Sequence, residues 1–136
     1  MYERSFHLEI VSPTRVAYSG EAASLIAPGV LGMFQVLVDH APMLAQLAPG
    51  PLTVKDASGV DHLFAVGGGV TEVRDNTVIV LADSAEPAAE IDVARAENAR
   101  AESQRRAREA ATDDERTLAA EALARARNRL KVAQKT

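Results

Sequence analysis

The chain has 136 residues, a net charge of −4 and 47% hydrophobic residues, yet only five aromatics: Tyr2, Phe6, Tyr18, Phe34 and Phe64. It has no cysteine, which excludes disulfides, thiolate metal sites and cysteine nucleophiles, and no apolar run approaches the roughly 18–20 residues of a membrane-spanning helix. Residues 1–85 hold nine acidic against four basic side chains, which argues against a nucleic-acid surface there, because phosphate binding needs clustered Lys and Arg.

The opening residues, Met1-Tyr2-Glu3-Arg4-Ser5, enter a strand-like pattern at once and have no signal-peptide or transit-peptide character. This predicts a soluble, cytoplasmic chain that can still dock on a membrane complex. Phe6, Leu8 and Ile10 alternate with His7 and Glu9, the period of a half-buried strand. Short apolar runs continue to residue 82. Turn signals between them fall at Ser12-Pro13, Ser19-Gly20, Pro28-Gly29, Pro49-Gly50-Pro51, residues 56–59 and Asp75-Asn76. The 56–59 turn should join strands over 52–55 and 62–66. Asp75-Asn76 should make a tight hairpin between 70–74 and 77–81, because Asp and Asn tolerate the left-handed backbone such turns require.

After Ala82 the period changes. Residues 92–111 and 113–133 are rich in Ala, Arg, Glu and Leu and predict two helices. Ala96, Ala99, Ser103, Ala107 and Ala110 form one stripe; Ala119, Leu123, Ala126, Leu130 and Ala133 form another. Thr112, followed three residues later by Glu115, fits a capping box, and so short a connection makes the helices antiparallel neighbours. The seam is mostly alanine and buries little area, since each buried methylene contributes about 0.8 kcal/mol. Two readings follow: an ordinary stable hairpin, or one that opens or extends. The expected fold is α+β in two parts, an antiparallel β-sandwich or barrel over 1–85 and a two-helix hairpin over 86–136.

No catalytic constellation emerges. Gly67-Gly68-Gly69 lacks the Lys and Ser/Thr of a phosphate loop and precedes a strand, so it reads as a bulge or close-packed bend. His7, His40 and His62 have no metal-ligand spacing to one another. Asp113, Asp114 and Glu115 are the acidic first turn that a helix dipole favours.

Several motifs, in order, resemble the epsilon subunit family of F-type ATP synthases over nearly the whole chain. Residues 6–13, Phe-His-Leu-Glu-Ile-Val-Ser-Pro, look like the family's opening strand and turn. His40-Ala41-Pro42-Met43-Leu44 resembles its His-Ala-Pro-hydrophobic-Leu signature, and residues 66–73, with Gly68-Gly69 and Glu72-Val73, its Gly-Gly-x-x-Glu-Val strand. Residues 76–82 with Ala85-Glu86 resemble the next strand and its exit. Ile91-Asp92-Val93-Ala94-Arg95-Ala96 resembles the motif opening the first helix, and residues 125–130 the end of the second. The loop before His40 departs from the family pattern, with Met33 in place of an acidic residue, Gln35 of a glycine and Val38 of a proline.

The resemblance implies a non-catalytic subunit of the central stalk, peripheral on the cytoplasmic face of a bacterial membrane, that couples proton translocation to ATP synthesis. The sandwich would bind the gamma subunit and the proteolipid (c) ring. The hairpin would fold back or extend toward the alpha/beta catalytic hexamer and restrain hydrolysis, with Arg125, Arg127 and Arg129 meeting acidic surfaces there. Met33, Phe34, Val38, His40 and Met43 are the candidate partner residues; the plainer reading has Phe34, Val36 and Leu37 filling the core. No cofactor is required, but ATP is a candidate regulatory ligand, held by Glu86, Ile91, Asp92, Arg95, Ala96, Arg125 and Arg129. Glu102 stands where nucleotide-binding members carry a further arginine, with Arg100 close by. The plainer reading has Asp92 capping the first helix and the arginines pairing with Glu90, Glu97 or Glu121. A rival from another class is a free-standing small-ligand β-barrel with a helical dimerisation tail, although such a barrel should carry an aromatic lining.

Overall fold

A computed structural model describes residues 4–135; residues 1–3, where the strand-like opening was read, lie outside them. The chain divides into two compact units, Met1–Pro87 and Ala88–Thr136.

Among the described residues the first unit has seven strands: β1 (Phe6–Ser12), β2 (Arg15–Gly29), β3 (Gly32–Val36), β4 (Met43–Asp56), β5 (Asp61–Arg74), β6 (Thr77–Ala82) and β7 (Ala85–Pro87). Their order is β1-β6-β5-β4-β2-β3, with β7 on β5. β1 also pairs with β2, which closes five strands into a flattened barrel and leaves β3 as an edge. Among the described residues only the β1–β6 pairing is parallel. The alternation along β1 turns Phe6, Leu8 and Ile10 inward, where they meet Leu25, Leu52, Val54, Phe64, Val66, Val78 and Val80.

The Asp75-Asn76 hairpin forms as expected. Both residues have positive φ, 51° and 55°, and Arg74 pairs with Thr77. At the 56–59 turn, Asp56 Oδ1 accepts from the amides of Ser58 and Val60 at 2.9 and 3.0 Å. Gly67 to Gly69 is the close-packed bend: Gly69 has φ 138°, and a β-carbon there would collide with the Leu81 carbonyl oxygen.

Three expected turns are displaced. Ser19-Gly20 lies inside the continuous β2, because pairing with β1 overrides the local signal. The Pro28-Gly29 turn falls one step later, at Val30-Leu31. Pro49-Gly50-Pro51 runs straight through β4. Proline has no amide to give a ladder, and these prolines sit where β4's pairing with β2 lapses, between Leu47 and Thr53. Gly50 stands opposite Pro28, whose Cβ a β-carbon at position 50 would approach to 2.5 Å.

The second unit opens with one 3₁₀ turn, Ala88–Glu90, followed by α1 (Val93–Glu109) and α2 (Asp113–Ala133), packed together as a hairpin. Thr112 caps α2 by accepting from the Glu115 amide at 3.1 Å. The Glu115 carboxylate reaches back to the Ala111 amide at 2.9 Å, one residue earlier than the usual reciprocal bond. Ala96 and Ser103 of α1 and Ala119 and Ala126 of α2 are buried, as the stripes require. Val132 and Asn128 are buried as well, outside those stripes, and the 3₁₀ turn touches α2.

Candidate partner and nucleotide surfaces

On the β unit, apolar groups collect at the tip of the β2–β3 hairpin and across the outer face of the sheet. Leu31 is 100% exposed, Leu44 72% and Met33 55%, with Val30 and Leu37 also more than half exposed. The Val30 amide donates to the Gln46 carbonyl at 2.9 Å, fixing the hairpin tip to β4. Register then runs an outer row from Gln46 to Val70, Leu81, Val11 and Val16. Val70, Leu81 and Val16 of this row are exposed. A depression of about 490 Å³ beside it is lined by Leu44, Gln46, Leu47, Gly69, Val70 and Asp83. Contiguous exposed apolar groups of this kind mark an interaction surface more than scattered ones do.

Of the five partner candidates, Met33 is exposed. Phe34, Val38 and Met43 are half-buried and packed against the core. His40 is half-buried, its Nδ1 2.7 Å from the Ala41 carbonyl oxygen. In the core-filling alternative, Val36 is indeed buried, but Leu37 is exposed. Sequence reading passed over Leu31 and Leu44.

Glu86 lies on β7, half-buried. The other nucleotide candidates lie on the helical unit, where the hairpin sets the start of α1 beside the end of α2. Asp92 is the N-cap of α1, its Oδ1 accepting from the Arg95 amide at 3.0 Å, so the capping reading of this residue holds. Ile91 and Ala96 are buried, Arg95 is exposed, and Arg125 and Arg129 are half-buried one turn apart on α2. Glu102 is bound by Arg105 and Arg106, and the Arg105 hydrogen bond leads in holding its carboxyl below the usual range. The charge opposed to phosphate at this position is therefore already paired. A hollow of about 350 Å³, lined by Ser103, Arg106, Glu109, Glu115, Leu118 and Ala122 among others, lies at the turn end of the hairpin, the end opposite Asp92. Among the described residues no group of three or more His, Asp or Glu is placed to hold a metal ion. Among the same residues no helix is long and apolar enough to cross a membrane.

Residues 5–88 match the family model described as ATP synthase, Delta/Epsilon chain, beta-sandwich domain, and residues 89–134 the one described as ATP synthase, Delta/Epsilon chain, long alpha-helix domain. The ATP synthase epsilon chain of Moorella thermoacetica is 43% identical over 95% of this chain and 96% of its own length. The chain belongs to the family of ATP synthase epsilon subunits. Other epsilon-family relatives include the epsilon chain of Syntrophomonas wolfei, 38% identical over 99% of this chain and 98% of its own. That of an Anaeromyxobacter species is 45% identical over 93% and 96%. The epsilon-family fold extends to distant structures. A chain of the Euglena gracilis mitochondrial ATP synthase, in a structure of OSCP, F1 and c-ring, superposes with a TM-score of 0.82 at 23% identity, covering 98% of this chain and 84% of that one. A chain in the central stalk and c-ring structure from Tetrahymena thermophila gives 0.65 at 16% identity, covering 98% and 99%. Epsilon-family membership displaces the reading of a free-standing ligand barrel.

Proposed function

We propose that this ATP synthase subunit is a non-catalytic rotor element on the cytoplasmic face of a bacterial membrane. Its β unit docks on the gamma subunit and the proteolipid ring, and its hairpin restrains ATP hydrolysis by extending toward the alpha/beta hexamer. The observation carrying the docking reading is the fully exposed Leu31 beside Met33 at the β2–β3 tip. A leucine left wholly in water on a well-packed unit is stabilised only once a partner covers it, at about 25 cal/mol per Å² of apolar surface. The distant fold relatives come from structures of OSCP, F1 and c-ring in one case and of central stalk and c-ring in the other, which agrees with this placement. Leu31→Glu combined with Met33→Glu tests it. The variant should melt like the parent, because both side chains are exposed, yet fail to join the complex or uncouple proton pumping from hydrolysis. Normal assembly and pumping would overturn the docking surface.

We also propose that the folded hairpin takes ATP. Ile91 and Ala96 would flank the adenine, and Arg95, Arg125 and Arg129 would face the phosphates through paired guanidinium donors. The favouring observation is that the hairpin sets the start of α1, which carries Arg95, beside the end of α2, where Arg125 and Arg129 lie one turn apart. A ligand that binds only the closed hairpin stabilises it by mass action, which makes it a sensor of ATP level. Calorimetric titration with ATP decides this: heat that disappears in Arg95→Ala with Arg125→Ala supports the site, and no heat at millimolar nucleotide removes it.

A further inference from the structure

Asp83 is an exposed residue between β6 and β7. Its amide donates to the Gly68 carbonyl at 3.0 Å, and its Oδ2 would stand 3.0 Å from a β-carbon built on Gly68. The carboxylate is thereby held against the 67–69 bend of β5, and it joins the lining of the outer depression. The rest of that lining is apolar except for Gln46. Leu44 and Val70 are exposed, Leu47 is buried, and Gly69, paired with Leu47 across the ladder, adds no side chain. Glu72 stands opposite Leu44 in the β4–β5 ladder, so a second carboxylate borders the same apolar wall. An apolar hollow with an anionic rim is complementary to a cation carried on an aliphatic stem. The charge of the β unit points the same way. Three of its four basic residues lie against other carboxylates: Arg4 meets Asp39, Lys55 meets Asp61 at 2.9 Å and Arg74 approaches Asp75 at 3.9 Å. The fourth, Arg15, opens β2 opposite Ser12.

We propose that this depression is a socket for an arginine side chain of the protein that covers the outer face. The guanidinium pairs with Asp83, and its methylene stem lies along Leu44 and Val70. Arginine suits the site better than lysine for two reasons. A guanidinium is less strongly hydrated than an ammonium, and its planar fork can give a carboxylate two parallel hydrogen bonds. The occupant is a partner's side chain and not a free small cation, because the depression runs into the exposed row of Val70, Leu81 and Val16. A small ligand would leave that row in water, whereas a docked protein covers it. The inference deepens the docking reading above and rests on it.

NMR titration of the full chain tests the socket, with butylguanidinium as the probe, butylurea as its neutral counterpart and butylammonium as the lysine analogue. Butylguanidinium should give saturable shifts at the Leu44 and Val70 methyls and the Gly69 amide. Asp83→Asn should weaken that binding about fivefold, the scale of one exposed ion pair. The variant should melt like the parent, because the side chain is exposed and the amide bond to Gly68 is kept. Butylurea and butylammonium should each bind more weakly than butylguanidinium. No saturable shift at the lining, or binding unchanged in Asp83→Asn, overturns the socket. Equal binding of butylurea overturns the charge pairing, and equal binding of butylammonium overturns the assignment to arginine. In the assembled complex Asp83→Arg sets like charges together and should lower retention of the subunit at least about tenfold. Normal retention of Asp83→Arg, in a complex that Leu31→Glu with Met33→Glu still disrupts, overturns the partner arginine and leaves the docking surface standing. If that double variant is also retained normally, the docking reading itself fails.

Discussion

His62 Nε2 lies 2.8 Å from Asp56 Oδ2, closing the β4–β5 hairpin from its strand side while the same carboxylate caps the turn. The His62 ring also meets Tyr18 edge-on, with centroids 5.4 Å apart. The His62 hydrogen bond, then the Val60 amide, hold the Asp56 carboxyl below its ordinary pKa. A carboxyl depressed by folding adds stability that is present above its unfolded pKa and lost as pH falls through the folded value. Asp56→Asn should therefore lower the melting temperature at neutral pH, and the gap to the parent should close as the pH drops below the ordinary carboxylate range. Thermal melts from pH 7 to pH 3 check this; a gap independent of pH would contradict it.

Thr71 is fully buried on β5, and among the described residues its Oγ1 has no hydrogen-bond partner. An unsatisfied buried hydroxyl costs about 1–3 kcal/mol. Thr71→Val keeps the β-branched shape and should raise unfolding stability by about 1 kcal/mol in denaturant titrations. A loss of stability would point to a partner for the hydroxyl.

Much of this architecture was legible in the sequence because local chemistry and tertiary structure agree there. Asp75-Asn76 needed only its left-handed residues, and Thr112 with Glu115 needed only capping spacing. The misplaced turns mark where they disagree. Gly20 is held extended by pairing with Leu8, and Pro49 and Pro51 fit a strand because β2 makes no ladder there. The parallel pairing of β1 with β6, which closes the barrel, is a long-range contact that no local pattern encodes. Exposure was the least readable property. Met33 and Phe34 are neighbours of similar apolar character, yet strand alternation sends one to solvent and the other toward the core.

Gly69 combines φ 138° with a Cβ position occupied by Leu81 and Ala82 backbone. Gly69→Ala must therefore strain the backbone and shift β6 away. It should lose about 2–3 kcal/mol of stability. The depression beside Leu44 should deform with it, so retention in the complex should fall too. Equilibrium unfolding and a pull-down with the complex measure the two effects; a fully stable alanine variant would contradict the bend as described.

The account assigns docking to the β unit and restraint to the hairpin, and removing residues 88–136 separates the two. The remaining β unit has its own closed barrel and core. The most direct measurement is ATP hydrolysis and proton pumping by a complex assembled with the truncated subunit, compared with the full-length one. The account predicts normal assembly, retained pumping and raised hydrolysis. Failure of the truncated subunit to join the complex, or hydrolysis unchanged in a well-assembled complex, would contradict it.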